Sequence, residues 1–433
     1  MKIIADLHIH SRYSRACSTE LNIQNLEKWA RIKGLGLLGT GDFSHPQWQE
    51  ELKKELKEDG SGILRTKSGF PFVLQNEISL IYTQGGKGRR IHLVLLAPSF
   101  EIVDKITAYL KSKGRVDYDG RPIFNISCVD FADAMMKISE NIEVIPAHAW
   151  TPWFGIFGSM TGFDSIEEAF GSQAKNIHAF ETGLSSDPEM NWRLSRLDKY
   201  RIVSFSDSHS FWPWRIGREA TVFEFDELAY AYLIRALRTG DGLAETLEVD
   251  PNYGKYHFDG HRNCGVSFSP EESKRNKGIC PVCKRPLTIG VLNRVDELAD
   301  RKDGEKPASA KPFKRIIPLH DLLSLALQSG VATKKVWAKY YEILKVGENE
   351  FDILLNVPEE KLLSVADKEI VDLVMKNRRG EVTIKPGFDG VYGVPVIDGR
   401  EIVMESDDED KPRKKMNEPM KPTRTQTGLG DYF

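Results

Sequence analysis

Six of the ten histidines in this 433-residue chain, His8, His10, His45, His92, His148 and His209, fall in or just after short apolar runs that read as β-strands. A single His, Asp or Glu at a strand end is usually a cap or a satisfied buried group. Such a residue at nearly every strand end of one sheet constrains the fold far more, because the strands must converge for the pattern to have a use. The predicted strands cover residues 2–7, 35–40, 72–76, 91–97, 143–147, 177–180, 202–206 and 220–225. Asp42 and His45 follow the second, Glu77 the third, Glu181 the sixth, and Asp207 and His209 the seventh. Predicted helices at 22–32, 100–112, 129–138, 188–197 and 227–237 separate them. Strand–helix alternation predicts a mainly parallel α/β sheet, open or closed into a barrel, with catalytic groups at the carboxyl ends of its strands.

The first of these clusters, Ala5-Asp6-Leu7-His8-Ile9-His10, places two imidazoles two residues apart. On a strand they share a face and can bind one cation. Imidazoles and carboxylates together suit Zn²⁺, Mn²⁺ or Fe²⁺. Two or three cations a few ångströms apart require a bridging carboxylate, for which Glu77 is the candidate. Such a centre activates water and stabilises both attacking and leaving oxygens, the chemistry of phosphoester hydrolysis.

Residues 1–248 form the predicted catalytic unit. Residues 249–300 carry three of the five cysteines, 301–404 a helical and C-terminal domain, and 405–433 a disordered tail with blocks of charge. Helices are expected over 318–344 and 359–376. An odd cysteine count without a signal peptide predicts a reducing compartment and metal binding. His261 and Cys264, then Cys280 and Cys283, make two ligand-x-x-ligand knuckles for one structural zinc, with His257 as an alternative to His261. Basic residues around them, including Arg262 and Lys274, suit phosphate contacts or a solvated surface. The formal net charge of −3 gives no bulk attraction for a polyanion, so nucleic acid must be met by local basic patches. No apolar run is long enough to span a membrane, and a cytoplasmic, nucleoid-associated protein is expected.

Two aromatic loops follow predicted ligands: Trp150, Trp153 and Phe154 after His148, and Phe211 and Trp212 after His209. They either stack on an extruded base or form loop mini-cores that exclude water. The chain ends with Gln426, Leu429, Tyr432 and Phe433 in a spacing that resembles the sliding-clamp (PCNA) binding motif of replication and repair proteins.

Asp6-Leu7-His8-Ile9-His10, Gly41-Asp42-Phe43-Ser44-His45, Asn76-Glu77, His92, Ala147-His148 and Ser206-Asp207-Ser208-His209 resemble the ordered motifs of the PHP (polymerase and histidinol phosphatase) superfamily. That resemblance covers roughly the first 245 residues. It implies a distorted seven-stranded (β/α) barrel with up to three divalent metals (Zn, or Mg or Mn). His8, His10, Glu77 and Asp207 would hold the first, and Glu77, His92 and His148 the second. His209 with Asp42 or His45 would complete the third. The usual Thr-Asp-His motif is broken here to Thr40-Gly41-Asp42-Phe43-Ser44-His45, leaving both Asp42 and His45 as candidates. Cys17 is a further ligand or a buried structural thiol, and Arg15 and Arg215 are candidates to neutralise phosphate.

Residues 256–265 and 386–393 extend the resemblance over the whole chain, toward the archaeal DNA repair endonucleases of that superfamily. It implies metal-dependent cleavage on the 5′ side of a deaminated base (uracil, hypoxanthine or xanthine) or an abasic site, leaving 3′-hydroxyl and 5′-phosphate. The implied partners are damaged DNA and the sliding clamp. The competing expectations are a phosphatase of small molecules and a non-catalytic clamp-bound DNA-binding protein.

Overall fold

The computed structural model describes residues 1–397 and 400–401. They form a mixed α/β fold around an eleven-stranded sheet. Lys2–Asp6 pairs antiparallel with Ala220–Glu224 on one side and parallel with Leu37–Gly39 on the other. Leu37–Gly39 runs parallel to Pro71–Gln84, which is antiparallel to Lys87–Ala97, itself antiparallel to Glu143–Pro146. Leu243–Glu248 extends the other flank. Ala179–Glu181 and Arg201–Val203 form a separate parallel pair.

The sheet is therefore less parallel than the strand–helix alternation suggested. Residues 72–76 and 91–97, read as separate strands, belong to the two arms of one long hairpin. Its turn is Gly85-Gly86, with φ of 61° and 75°, between the paired Gln84 and Lys87. A two-residue loop with both φ positive matches the right-handed twist of its arms, and glycine adopts it without steric cost.

Helices start where capping chemistry permits. Asn22 accepts the Asn25 N–H at 2.8 Å and opens the helix Ile23–Lys33, which Gly34 closes at φ 98°. The helix buries Ile23, Leu26, Trp29 and Ala30. The predicted helix over 318–344 is two, Leu319–Leu327 and Lys334–Leu344, because Gln328 turns left-handed at φ 47°. The segment 359–376 likewise divides into Glu359–Leu363 and Lys368–Arg378. Among the described residues, no helix is long and apolar enough to cross a membrane. Gln426, Leu429, Tyr432 and Phe433 lie outside the described residues.

A buried ion pair ties the first helix to the C-terminal helices. Lys33 Nζ reaches Glu350 Oε1 at 2.7 Å and the Pro213 carbonyl at 2.8 Å. Glu350 also accepts the Tyr340 hydroxyl and the Leu319 N–H, at 2.8 and 3.0 Å. Breaking such a pair strands a charge in the interior. Lys33→Met is expected to lower the unfolding free energy by roughly 3–5 kcal/mol in urea titrations. A loss below about 1 kcal/mol, the range of exposed pairs, would show that the strut is dispensable.

Candidate metal centre

The first strand ends at Asp6, whose buried carboxylate sets the path of a distant segment. It accepts the Ser206 N–H and hydroxyl and the Gly217 N–H, at 3.0, 2.5 and 2.8 Å. Segment 206–210 is thereby laid beside segment 8–10, and the His10 N–H donates to the Ser208 carbonyl at 2.9 Å. Asp207 thus arrives next to His8 and His10.

Glu77, from the long strand, sits between two sets of imidazoles. Its Oε2 lies 3.6 Å from His8 Nε2 and 3.2 Å from His10 Nε2. Asp207 Oδ1 lies 3.5 and 3.2 Å from the same two nitrogens. Glu77 Oε1 faces the other way, 2.7 Å from His92 Nδ1 and 3.2 Å from His148 Nε2. Ligand atoms in each of the groups His8–His10–Glu77–Asp207 and Glu77–His92–His148 lie within 4.8 Å of one another.

The remote ring nitrogens are mostly engaged. His8 Nδ1 donates to Glu181 at 3.0 Å, and Glu181 also accepts the His148 N–H at 2.6 Å. Asp42 Oδ1 accepts from His10 Nδ1 at 3.0 Å. His148 Nδ1 lies 2.9 Å from the Thr151 hydroxyl. Such outer hydrogen bonds orient imidazole ligands. His8 Nε2 is buried and has no hydrogen-bond partner, as a nitrogen reserved for a cation would be. Asp42, His148 and Asp207 adopt left-handed φ of 44°, 30° and 48°. Such strain in non-glycine residues persists where surrounding contacts enforce it.

Charge is strongly coupled here. Burial opposes the imidazolium of His8, yet Glu181, Asp207 and Glu77 hold its pKa well above the usual histidine range. His10 behaves likewise, with burial outweighed by Asp42, Asp207 and Glu77. Burial would raise Glu77, but His92, Arg121 and His8 hold it well below the carboxylate range. Asp207 is lowered against its own burial by His8, His10 and His209.

Several predicted residues have other surroundings. Asp42 has its second oxygen filled by the Ser11 N–H and hydroxyl and the Ser14 hydroxyl, at 2.6, 2.7 and 2.8 Å, so it positions His10. A Cβ on Gly120 would collide with that carboxylate, which explains the glycine. His45 stacks on Tyr13 with ring centroids 4.4 Å apart. His209 packs tilted against His10, with ring centroids 4.4 Å apart, and lines the cleft. Among the described residues, His209, Asp42 and His45 do not assemble a third ligand group. Cys17 is buried in the core.

The centre opens into a cleft of about 640 Å³ lined by Arg15, Arg121, Trp153, Phe154, Lys255, Tyr256 and Tyr392, among others. Phe154 packs 4.3 Å from the His92 ring. Trp150 is buried, donating to Asn191 at 2.7 Å, and is excluded from base stacking by its place in the core. Phe211 and Trp212 pack against each other, and Trp212 joins Trp29, Trp214 and Trp337 in an aromatic mini-core. Arg215 does not line the cleft; it lies 5.9 Å from the Tyr392 ring, and its charge acts on Asp321.

Two neighbours escaped the sequence reading as site residues. Glu181 was visible only as one more acid after a strand. Arg121, which donates to Glu77 Oε2 at 3.1 Å, sits in a loop with no motif.

Away from the cleft, a separate group joins His261, Cys264, Cys280 and Cys283, with Cys283 Sγ 3.3 Å from His261 Nδ1. Beside the hairpin Asp259–His261/Val266–Phe268, the described residues form a small apolar cluster of Val266, Cys280 and Leu287, with Cys264 and Phe268 packed against it. His257 points elsewhere, 3.5 Å from the Ser185 carbonyl.

A family model described as the MJ0043 C-terminal domain matches residues 318–381. The chain is 30% identical over 285 residues, 65% of its length, to the uncharacterized protein MJ0043 of Methanocaldococcus jannaschii, and spans 34% of that relative. Among solved structures, it is similar to the lesion-specific endonuclease PfuEndoQ from Pyrococcus furiosus. That likeness has 29% identity and a TM-score of 0.82, covering 92% of this chain and 96% of that one. It is also similar to endonuclease Q in complex with a 27-mer duplex carrying an abasic lesion at the active site. There the identity is 30% and the TM-score 0.82, covering 91% of this chain and 96% of that one.

The charge coupling sets a pH dependence for protein stripped of cations. His8 and His10 are raised, so their contribution is fully present below the unfolded value near 6.5 and is lost as pH rises through the elevated folded values. Glu77 and Asp207 are lowered, so theirs is present above about pH 4 and is lost as pH falls through the depressed values. Chelated protein is expected to show its highest Tm between about pH 5 and 7. His8→Gln should flatten the alkaline limb of that profile in scanning calorimetry, whereas an unchanged limb would remove His8 from the network.

Proposed function

The chain belongs to the endonuclease Q family, and from that membership we propose that it is a DNA repair endonuclease cutting on the 5′ side of a deaminated base or an abasic site. The bases are uracil, hypoxanthine and xanthine, and the ends are 3′-hydroxyl and 5′-phosphate. At the coarser level, the chain is a metal-dependent hydrolase acting on DNA. The observation that carries the reading is Glu77, whose two oxygens face two separate imidazole pairs at the floor of an open cleft.

The donor set fits divalent cations. The unpartnered buried His8 Nε2 and the converging carboxylates of Glu77 and Asp207 form a donor set that a divalent cation would satisfy. His8, His10, Glu77 and Asp207 would hold one cation, and Glu77, His92 and His148 a second. Cations there supply Lewis acidity toward a phosphodiester and lower the pKa of water. The chain's own residues do the rest. Asp42, Glu181 and Thr151 fix the imidazoles, and Arg15 and Arg121 meet phosphate charge at the cleft wall. Trp153, Phe154, Tyr256 and Tyr392 offer ring faces for a base taken out of the stack.

The remaining parts fit the same reading. Residues 1–248 are the PHP barrel. The His261–Cys264–Cys280–Cys283 group holds one structural zinc that organises residues 249–300, whose own core is too small to do so. Residues 301–404 are the helical and C-terminal domain, from which Tyr392 reaches the cleft. The tail from 405, with Gln426, Leu429, Tyr432 and Phe433, docks on the sliding clamp, in an intracellular, nucleoid-associated setting.

End-labelled duplexes bearing uracil, hypoxanthine, an abasic site or no lesion, incubated with Mg²⁺, Mn²⁺ or Zn²⁺, test the proposal. A single cut 5′ to each lesion is expected. Hydrolysis of small monoesters with intact oligonucleotides would replace it with a phosphatase. Glu77→Ala is expected to slow cutting by at least roughly 10³-fold at saturating cation. Deleting residues 426–433 is expected to remove clamp binding in a pull-down and spare unassisted cutting. Loss of basal cutting would give the tail a structural role.

A further inference from the structure

Arg121 belongs to no motif, yet its position is determined by the backbone around it. Two residues later the chain enters the short strand Ile123–Phe124, which pairs parallel with Ser79 and Leu80. The Ser79 N–H donates to the Pro122 carbonyl at 3.1 Å. The loop is thus pinned to the strand that carries Glu77, two residues from it. Asp119 braces the other side, accepting the Arg121 N–H at 3.1 Å and the Arg15 N–H at 3.4 Å.

The guanidinium spans two environments. Nη1 donates to Glu77 Oε2 at 3.1 Å, the oxygen that also lies 3.2 Å from His10 Nε2. Glu77 has no exposed side-chain surface, whereas Arg121 keeps 26% of its own. The exposed part lines the cleft beside Arg15. One end of the fork is therefore engaged with the candidate bridging carboxylate and the rest faces the space a substrate would enter.

Resting on the endonuclease reading, we propose that Arg121 exchanges partners: it neutralises Glu77 before cations bind, and afterwards anchors the scissile phosphodiester. A cation at Glu77 Oε2 competes for the same lone pairs and repels the guanidinium, since like charges a few ångströms apart in a buried site cost heavily. Released, the fork needs only to pivot about its braced backbone to present paired donors to a non-bridging phosphate oxygen. Planar bidentate donors match that geometry. Arg121 would then be a catalytic residue that couples charge at the centre to charge on the substrate.

The two halves of the proposal have opposite signs, which separates them from a structural role. Mn²⁺ is titrated calorimetrically into chelator-stripped parent, Arg121→Gln and Arg121→Lys proteins without DNA. Single-turnover cutting of an abasic-site duplex is then timed at saturating Mn²⁺. Arg121→Gln is expected to bind Mn²⁺ roughly tenfold more tightly, because its competitor is gone, and to cut about 10²–10³-fold more slowly. Arg121→Lys, which keeps charge but not the fork, is expected to bind Mn²⁺ like the parent and cut about tenfold more slowly. Weaker or unchanged Mn²⁺ binding by Arg121→Gln, or cutting at the parental rate, overturns the proposal. If Arg121→Gln does not fold, a parental cutting rate in Arg121→Lys overturns it. A parent that binds Mn²⁺ but leaves the duplex intact counts against the endonuclease reading, while the Mn²⁺ comparison still decides the competition for Glu77.

Discussion

An ionised carboxylate without solvent is costly unless its charge is met on all sides, and Glu77 is met by four imidazoles and a guanidinium. Those five groups come from four places in the chain. His8 and His10 follow the first strand, and His92 lies on the opposite arm of the hairpin, where it pairs with Ser79. His148 comes just after the Glu143–Pro146 segment, and Arg121 comes from a loop. A one-residue slip of the hairpin would turn His92 to the other face. The 14-residue arm and its glycine turn therefore make the register of Glu77 and His92 a property of many backbone hydrogen bonds.

Where the strands end, the backbone bends sharply and is secured by side chains. Asp42, His148 and Asp207 occupy left-handed conformations at three strand exits. Each is restrained by a buried carboxylate: Asp42's own, Glu181 on the His148 N–H, and Asp6 on the Ser206 N–H next to Asp207. The cost of each bend, of order 1–3 kcal/mol, is offset by charge-assisted hydrogen bonds. The same carboxylates then aim the imidazoles, so strain and orientation have one origin. This is why Asp42, beside a cluster of ligands, has no free oxygen to offer.

What was legible in the residues came from periodicity and termini. His8 and His10 share a face because strands alternate, and Asn22 and Gly34 bracket a helix by capping chemistry. Long-range pairing was not legible in the same way. Gly85-Gly86 is a hairpin signal, but the arms continue through polar positions such as Arg89 and Thr83 that obscured their length. Aromatic loops read alike whether they face a cleft or a core. Trp150 and Trp153 are three residues apart, yet the first is sealed by Asn191 and the second lines the cleft, a difference set by long-range contacts. Glu181 and Arg121 needed tertiary structure because each is a single charged residue whose partners are distant in the chain, His8 and His148 for Glu181 and Glu77 for Arg121.

The electrostatics of the cleft place an order on events under the proposed reading. The chain as a whole is close to neutral, at −3, so long-range attraction for DNA is weak. Within the cleft, Arg15, Arg121, Arg218 and Lys255 are partly offset by Asp119, Glu181 and Asp207, with Glu77 beneath them, while burial and the neighbouring Glu248 hold the Glu219 carboxyl well above the usual carboxylate range. A phosphodiester approaching the cation-free cleft meets basic residues already matched by carboxylates, above a floor in which Glu77 and Asp207 are paired with His8 and His10. Divalent cations on Glu77 and Asp207 would displace the imidazole protons and leave the floor more positive, so that it attracts phosphate together with the arginines at the wall. Under that reading, productive seating of the scissile phosphate depends on cation occupancy.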